Sequence, residues 1–346
     1  MNGSPRLSRG LGFAALLVAF FLITGLFQEY AVRLAMPQFN PAHHITFVKG
    51  QDGLPVLGPR NEVLRQIKNT GDFDVTVRFN RHGLRDSKDM SKGTAEGYFL
   101  VGDSYPFGWG VEEEERLSEQ LETLIGRRVF NLSTNGDINT YGELIDYARR
   151  NGADVRKLLV VLTMENDIRD YDALDAASVR KVEAGRGLEL RDVKNYLMAN
   201  SALYFMATTF IHGTPWLKDL AVKAGLVVPN LAGVHRPVFS DEAIDSTARR
   251  LAELGGSYDM TVVLIPSRAL WHGGETKRAD YVHRSLLGRL GELNVDTLDL
   301  RAAFEVGGKP LGLHFLNDGH WRPAGHRRAA ETIAAHLQRR PPQAAH

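Results

Sequence analysis

Cysteine is absent from the 346 residues of this chain. Without thiols, the chain cannot form a disulfide, a thiolate metal site or a cysteine-linked lipid anchor, and it cannot use a cysteine nucleophile. An excess of charge is also missing, because the formal net charge is +1 at pH 7. This near-neutrality argues against nucleic acid as a partner. What remains is the composition of an ordinary globular protein with a sizeable core, with 43% hydrophobic and 24% charged residues.

One segment lacks charge altogether, the apolar run from Leu11 to Phe27. Its length is near the lower limit of about 17 residues for a helix that crosses a bilayer. Arg6 and Arg9 precede the run, and Glu29 follows it. Because the more basic flank of a membrane helix stays in the cytoplasm, we predict that residues 1–30 form a transmembrane anchor. Residues 11–27 would lie in the inner (cytoplasmic) membrane, with the N-terminus in the cytoplasm and the remaining chain periplasmic or otherwise extracytoplasmic.

Two other interpretations of this segment stay open. A cleaved signal peptide has a similar composition. However, the small-x-small sites within residues 31–35 place Arg33 unfavourably for cleavage. The third interpretation is a buried helix in a soluble fold.

From residue 98 onward, continuous apolar strands alternate with amphipathic helices. Such an alternation predicts an α/β fold whose mainly parallel sheet is covered by helices on both faces. The predicted strands are 98–101, 128–131, 157–163, 260–266 and 295–300, and the predicted helices are 113–125, 141–151, 241–254, 277–293 and 323–337. We assign residues 96–338 to one domain, in which Ser240 caps the 241–254 helix. The tail at 339–346 is predicted to be disordered.

The segments before and within this domain are less regular. Residues 31–95 are predicted to be a polar entry segment with short strands at 45–48 and 73–79. Residues 170–240 interrupt the α/β alternation with a predicted helix at 192–211, followed by a stretch broken by glycine and proline. This helical insertion is either a lid over a site or an addition to the outer helical layer.

Four loops carry polar residues at the edge where parallel sheets form their sites. In the first loop Ser104 follows Asp103 at a strand-to-helix turn, where backbone N–H groups converge and a nucleophilic hydroxyl is accessible. Asp103 itself is expected to cap or brace this turn. The other three loops are 131–137, 164–167 and 316–321. Each loop also has a purely structural interpretation, as a plain turn, an Asn-Gly turn or a helix cap.

Together, the four loops resemble the sequence blocks of the SGNH (GDSL-type) hydrolase superfamily in order and residue type. The blocks are Gly102-Asp103-Ser104, Asn135-Gly136-Asp137, Glu165-Asn166-Asp167 and Asp318-Gly319-His320-Trp321. The resemblance covers about residues 98–338 and implies a flavodoxin-like, three-layer α/β/α fold. A further motif, Asn80-x-x-Gly83-x-Arg85, is similar to a feature of membrane-anchored or exported bacterial members.

The resemblance also implies roles for individual residues. Ser104 would be the catalytic nucleophile, His320 the base that takes its proton and returns it to the leaving group, and Asp318 the carboxylate that orients the base. The oxyanion hole would combine the backbone N–H groups of Ser104 and Gly136 with the side-chain amide of Asn166. The spacing Asp318-x-His320 departs from the family's commoner Asp-x-x-His.

We therefore expect a serine ester hydrolase that acts outside the cytoplasm. Its substrate would be an acylated glycan or another ester, and its reaction the removal or transfer of O-acyl groups such as acetyl on envelope or exported polysaccharide. One alternative is a lipid-directed esterase or lysophospholipase, whose acyl channel the 192–211 helix would form. A second alternative is a non-catalytic scaffold of a polysaccharide assembly. The sequence indicates no cofactor and no metal.

Overall fold

The computed structural model describes residues 5–47, 55–173, 190–227 and 240–340. These described residues divide into two compact units. One unit takes its residues from Met1–His44, Asn69–Gly71 and Ala184–Leu226, and the other from Ile45–Lys68, Asp72–Glu183 and Val227–His346. The second unit contains every residue that the sequence predicts at the site.

The regular elements are numbered in chain order. The helices are α1 (Pro5–Ala35), α2 (Ser104–Phe107), α3 (Leu117–Ile125), α4 (Ile138–Arg150), α5 (Leu190–Asn200), α6 (Ala202–Gly213), α7 (Pro215–Lys223), α8 (Asp241–Gly255), α9 (Thr276–Glu292), α10 (Arg301–Glu305) and α11 (Pro323–Arg339). The strands are β1 (Val63–Ile67), β2 (Asp74–Arg78), β3 (Tyr98–Gly102), β4 (Val129–Asn131), β5 (Lys157–Thr163), β6 (Asp259–Ile265) and β7 (Thr297–Asp299). The predicted strands and helices of the α/β domain therefore form, with ends that move by a few residues.

A five-stranded parallel sheet in the order β4-β3-β5-β6-β7 is the centre of the second unit. Counted from β3, this is the 2-1-3-4-5 order of flavodoxin-like folds. The strands β5 and β6 pair without interruption from Lys157↔Asp259 to Thr163↔Ile265. A separate antiparallel pair, β1 and β2, forms a hairpin that precedes the sheet in the chain. The predicted α/β class with a mainly parallel sheet is confirmed.

Alternate residues of the central strands belong to two separate cores. In β5, Leu158, Val160 and Leu162 pack in the core that includes α4, α8 and α9. Leu159 and Val161 pack in the opposite core, with α3, α10 and α11. Because helices cover both faces, both sides of the strand must be apolar, which explains the unbroken apolar sequence of β5. The predicted three-layer α/β/α arrangement is confirmed.

In the first unit, α1 is long and apolar enough to cross a membrane over Ala15–Ala35. Near its end, the Glu29 carboxylate accepts hydrogen bonds from the Ser201 hydroxyl at 2.8 Å and from the two backbone N–H groups that follow, at 2.8 and 3.0 Å. Arg33 donates to the Asn200 carbonyl at 2.6 Å. The first N–H groups of a helix have no partner within it, so Glu29 satisfies the start of α6 and joins it to α1.

Two local predictions are wrong. The strand predicted at 45–48 is irregular over residues 45–47, and Val48 lies outside the described residues. The helix predicted at 192–211 is two helices, because Ser201 has an extended backbone between α5 and α6 and its side chain caps α6. Strand β1 was not predicted, because Arg65 and Gln66 interrupt its apolar alternation.

Parts of other predictions cannot be compared with the structure. The predicted insertion includes residues 174–189 and 228–239, and the predicted tail includes 341–346; these three stretches lie outside the described residues. The predicted domain boundaries stay predictions. Helices α5, α6 and α7, which fall within the predicted insertion, belong to the same compact unit as α1.

The motif Asn80-x-x-Gly83-x-Arg85 forms a fixed turn after β2. The Asn80 carboxamide oxygen accepts two backbone N–H groups of the turn, at 2.9 and 3.2 Å. Gly83 has φ +74°, and a Cβ there would lie 2.6 Å from the carbonyl oxygen of Gly58. Glycine is therefore required at this position, and the turn directs Arg85 into the interior, where it is 1% exposed.

The Arg85 guanidinium joins the turn to the loop that follows α2. It donates to the carbonyl oxygens of Gly108 and Val111, the latter at 2.6 Å. Burial, together with the nearby charge of Arg116, lowers the pKa of Arg85 to about 9. Arg85 is still protonated at neutral pH, so its donors remain available to these carbonyls.

We expect Arg85→Met to lower the free energy of unfolding by about 3 kcal/mol, because buried carbonyl acceptors lose their partner. Urea denaturation of the detergent-solubilised chain, followed by tryptophan fluorescence, measures the change. Arg81→Met is the matched control, since the Arg81 side chain is 59% exposed in its ion pair and such pairs contribute about 1 kcal/mol or less. Equal losses in the two variants would contradict the role assigned to Arg85.

Candidate active site

Ser104 lies at the carboxyl end of β3. Asp103 directly follows the strand and is the N-cap of α2, because its carboxylate accepts a hydrogen bond from the Tyr105 N–H at 2.9 Å. Ser104 is the first residue of α2 and is half-buried. The serine therefore occupies a strand-to-helix turn at the edge of the sheet where the loops after β4 and β5 also begin.

His320 connects Ser104 to Asp318. Its Nε2 lies 2.8 Å from the Oγ of Ser104, and its Nδ1 contacts the Oδ1 of Asp318. In the neutral tautomer whose Nδ1–H donates to Asp318, Nε2 is free to accept the serine proton. Burial alone would raise the pKa of Asp318. The hydrogen bond and charge of His320, together with the charge of Lys68, outweigh this effect of burial and hold the pKa of Asp318 below its usual range.

Gly319 explains how the short Asp-x-His spacing works. Its φ is +94°, in the left-handed region that residues with a Cβ rarely adopt. A Cβ there would also lie 1.8 Å from Nη1 of Arg268. The Gly319 carbonyl accepts a hydrogen bond from the Tyr105 hydroxyl at 3.0 Å. This braced turn lets Asp318 and His320, two residues apart, face each other.

The other two residues expected at the site lie on neighbouring loops. Asn166 follows β5, and its Nδ2 donates to the Oδ2 of Asp103 at 2.8 Å. One amide hydrogen of Asn166 is then left for another acceptor. Gly136 follows β4, which pairs with β3, and a Cβ there would lie 2.5 Å from a side chain of α4. Asn166 is thus hydrogen-bonded to the serine loop. The loop that contains Gly136 is joined to the end of β3 by the Thr134 N–H, which donates to the Gly102 carbonyl at 3.3 Å.

Asp103 does more than cap α2. Besides the Tyr105 N–H and Asn166, its carboxylate accepts the Thr163 hydroxyl at 3.0 Å. Burial raises the pKa of Asp103, and the hydrogen bond from Asn166 works in the opposite direction. The residue expected only to cap or brace the turn also fixes the amide of Asn166.

Two aromatic rings pack against the His320 imidazole. The Tyr105 ring centroid is 5.0 Å from it, and the Trp109 ring is stacked on it with centroids 5.5 Å apart and an interplanar angle of 29°. These contacts restrict rotation of the imidazole. Trp321, next to the histidine in sequence, is fully buried and packs against Tyr105 at 5.2 Å. The sequence did not identify Tyr105, although its position directly after the serine was a usable signal.

Two other titratable side chains, His326 and Asp167, are buried and belong to the packing of the fold. His326 is fully buried, and burial lowers its pKa to about 3. Asp167 accepts the Tyr141 hydroxyl at 2.9 Å, and burial raises its pKa. Within the described residues, neither side chain is hydrogen-bonded to Ser104.

One cluster of three acidic side chains is spaced closely enough to hold a cation. The carboxylates of Asp86, Glu113 and Glu119 approach one another within 4.8 Å. Arg116 and Lys88 each contact Glu119 at 2.6 Å. Arg116 also lies near Asp86 and Glu113, at 3.8 and 3.7 Å, so these carboxylates are part of a salt-bridge network.

We expect Gly319→Ala to lower the acyl-ester hydrolysis rate by about 10²-fold, because a shift of about 1 Å in a catalytic group has an effect of this size. Gly312→Ala is the matched control, since the nearest atom to a Cβ there, on the Lys309 side chain, lies at 4.0 Å. The rates of both variants are measured with p-nitrophenyl acetate. Wild-type activity in Gly319→Ala would show that the turn geometry is not required.

Residues 234–346 match the family model described as SGNH hydrolase-like domain, acetyltransferase AlgX. The matched range contains Asp318 and His320, whereas Ser104 precedes it. None of the curated protein sequences compared with the chain is similar to it.

Several solved structures are similar to the chain at low identity. An acetylxylan esterase from Geobacillus stearothermophilus is 14% identical, with a TM-score of 0.40 over 72% of this chain and 96% of its own. A lipase/acylhydrolase from Enterococcus faecalis is 12% identical, with a TM-score of 0.39 over 72% and 100%. A member of the lipolytic protein G-D-S-L family from Veillonella parvula is 14% identical, with a TM-score of 0.38 over 70% and 99%. These likenesses are too weak to bear on function. The last third of the chain is thus similar to the SGNH hydrolase-like domain, and the order of the sheet is that of flavodoxin-like folds.

Proposed function

We propose that the protein is a serine-dependent acyl-group enzyme with Ser104 as nucleophile, His320 as general base and Asp318 as the residue that orients the base. The observation that carries this proposal is the 2.8 Å contact between the Ser104 Oγ and the His320 Nε2, with Asp318 on the other ring nitrogen. A hydroxyl within hydrogen-bond reach of a base, itself oriented by a third group, is the arrangement that activates a serine.

The reaction would proceed through an acyl-enzyme. The Nε2 of His320 takes the proton of Ser104 as Oγ bonds to the ester carbonyl carbon, and the imidazolium returns that proton to the leaving oxygen as its bond breaks. Water or an acceptor hydroxyl then attacks the acyl carbon and gives its proton to His320. As the bond from that carbon to Oγ breaks, the imidazolium returns the proton to Ser104. The buried Asp318 carboxylate stabilises the imidazolium in both halves of the reaction.

The oxyanion formed on the carbonyl would be stabilised by the Ser104 and Gly136 N–H groups and the Asn166 amide. The hydrogen bond from Asn166 to Asp103 supports this assignment, because it fixes the amide before substrate binds. Donors held in place in advance need no reorganisation when negative charge develops.

For the substrate, we propose O-acyl groups, foremost acetyl, on envelope or exported polysaccharide. The description of the matching family model as an acetyltransferase supports the acetyl group. Helix α1 fits a membrane anchor, and the basic flank at Arg6 and Arg9 favours an extracytoplasmic catalytic domain. The contact of Glu29 with Ser201 supports a retained anchor, because cleavage after α1 would leave the N–H groups of Ala202 and Leu203 without the Glu29 acceptor.

We expect a fluorophosphonate probe to label the wild-type chain and not Ser104→Ala, because the probe bonds only to an activated serine oxygen. Ser87→Ala is the matched control, since Ser87 is exposed and lies outside the site. Labelling is read by mass spectrometry of the modified peptide. Equal labelling of wild type and Ser104→Ala would refute the nucleophile, and an unlabelled wild type would favour the non-catalytic scaffold.

The acceptor and the acyl group are tested with the same purified chain. Acetate release from p-nitrophenyl acetate is measured with and without added polysaccharide, and the rate is compared with that on long-chain esters. A transferase is expected to turn over faster when the acceptor is present, because its hydroxyl groups compete with water for the acyl-enzyme. A preference for long acyl chains would contradict the glycan proposal and favour the lipid-directed alternative.

A further inference from the structure

The β1–β2 hairpin contacts both loops of the candidate site. Lys68, directly after β1, has its Nζ 2.7 Å from the Oδ2 of Asp318. Asp72, just before β2, accepts the backbone N–H and the side-chain amide of Asn317, each at 3.2 Å. On the serine side, Gln66 accepts a backbone N–H of the loop after α2 at 2.9 Å. A hairpin that lies outside the four sequence blocks therefore supports the site.

Asp318 is consequently held from two sides. Its Oδ1 contacts His320, and its Oδ2 contacts Lys68. The Asp318 side chain is 4% exposed and that of Lys68 is 34% exposed, so water screens the pair mainly at the lysine end. A charge-assisted hydrogen bond is about twice as strong as a neutral one, and this bond leaves the carboxylate a single orientation.

We propose that Lys68 is a positioning residue of the active site, which fixes the Asp318 carboxylate against His320 and offsets part of its negative charge. The inference rests on the proposed roles of these residues and of Ser104. A cation beside Asp318 offsets part of the negative charge that would otherwise stabilise the imidazolium. Loss of Lys68 therefore changes both the orientation of the carboxylate and the charge that His320 meets.

The other titratable groups that face Asp318 and His320 come from several elements. They are Asp103 after β3, Tyr105 in α2, Glu165 after β5, Arg268 after β6, His314, and His326 in α11. Burial lowers the pKa of His314 to about 4 and that of His326 to about 3, so both are neutral near pH 7. Arg268 is paired with Glu165 at 2.8 Å. Among the lysine and arginine side chains that the structure describes, Lys68 alone forms an ion pair with Asp318.

The test measures the rate at which a fluorophosphonate probe modifies Ser104 as a function of pH, in the full chain in detergent. Lys68→Met removes the charge and the hydrogen bond, Lys68→Gln keeps a donor without charge, and Lys68→Arg keeps both. Arg65→Met is the matched control. Arg65 lies on β1 and pairs with Asp74 at 2.5 Å, so its loss removes the same charge from the same hairpin without touching Asp318.

We expect Lys68→Met to slow labelling by about tenfold at the wild-type optimum and to move the acid limb of the pH–rate profile up by about 0.5 to 1 pH unit. Lys68→Gln is expected to move the limb by a similar amount, because the charge is absent in both. Lys68→Arg and Arg65→Met are expected to keep the wild-type limb. A merely structural role would lower the rate at every pH and leave the limb in place.

An unmoved acid limb in Lys68→Met and Lys68→Gln would overturn the inference and leave the proposed function intact. A shift of equal size in Arg65→Met would also overturn it, because a general effect of net charge would then explain the result. Absence of labelling in the wild-type chain would overturn the proposed function and this inference together. Thermal unfolding of each variant is recorded alongside, so that a folding defect is recognised separately.

Discussion

The position of one imidazole ring is the constraint on which the candidate site depends. His320 contacts Ser104 at one nitrogen and Asp318 at the other, and its faces pack against Tyr105 and Trp109. A ring held by two hydrogen bonds and two aromatic contacts has little freedom to rotate. Catalytic groups need this degree of fixation, because small displacements of a base from its hydroxyl have large effects on rate.

The parallel sheet makes that placement possible. The carboxyl ends of β3, β4 and β5 lie at one edge, so the loops that begin there are neighbours although they are distant in the chain. The loop before α11 completes the set by supplying Asp318 and His320. Its turn depends on Gly319, whose φ of +94° brings two side chains separated by one residue to face each other.

A second layer of contacts holds these loops in place. Arg85 donates to backbone carbonyls of the loop after α2, and Gln66 accepts one of its N–H groups. In the loop before α11, Lys68 donates to the side-chain carboxylate of Asp318, and Asp72 accepts the backbone N–H of Asn317. The hairpin and the turn after it, which have no counterpart among the four sequence blocks, are thus structurally part of the site.

The likeness to SGNH hydrolases and the proposed chemistry of this chain rest on different observations. The likeness is a sequence match over residues 234–346, whereas the roles of Ser104, His320 and Asp318 are inferred from their contacts. The proposed extracytoplasmic position depends on α1, which is joined to α6 through Glu29. The acyl-enzyme proposed on Ser104 reacts with water or with a sugar hydroxyl by the same chemistry, so the triad serves a hydrolase and a transferase equally.

The sequence alone determined the α/β class, because strands covered on both faces must be continuously apolar and therefore stand out from amphipathic helices. It also identified the four polar loops, because three of them directly follow predicted strands and the fourth directly precedes the last predicted helix. It could not reveal Lys68, which is 250 residues from Asp318 in the chain, nor the break at Ser201 that divides the helix predicted at 192–211 into two. Those features were decided by tertiary structure, because an ion pair or a helix cap depends on which groups the fold brings within hydrogen-bond distance.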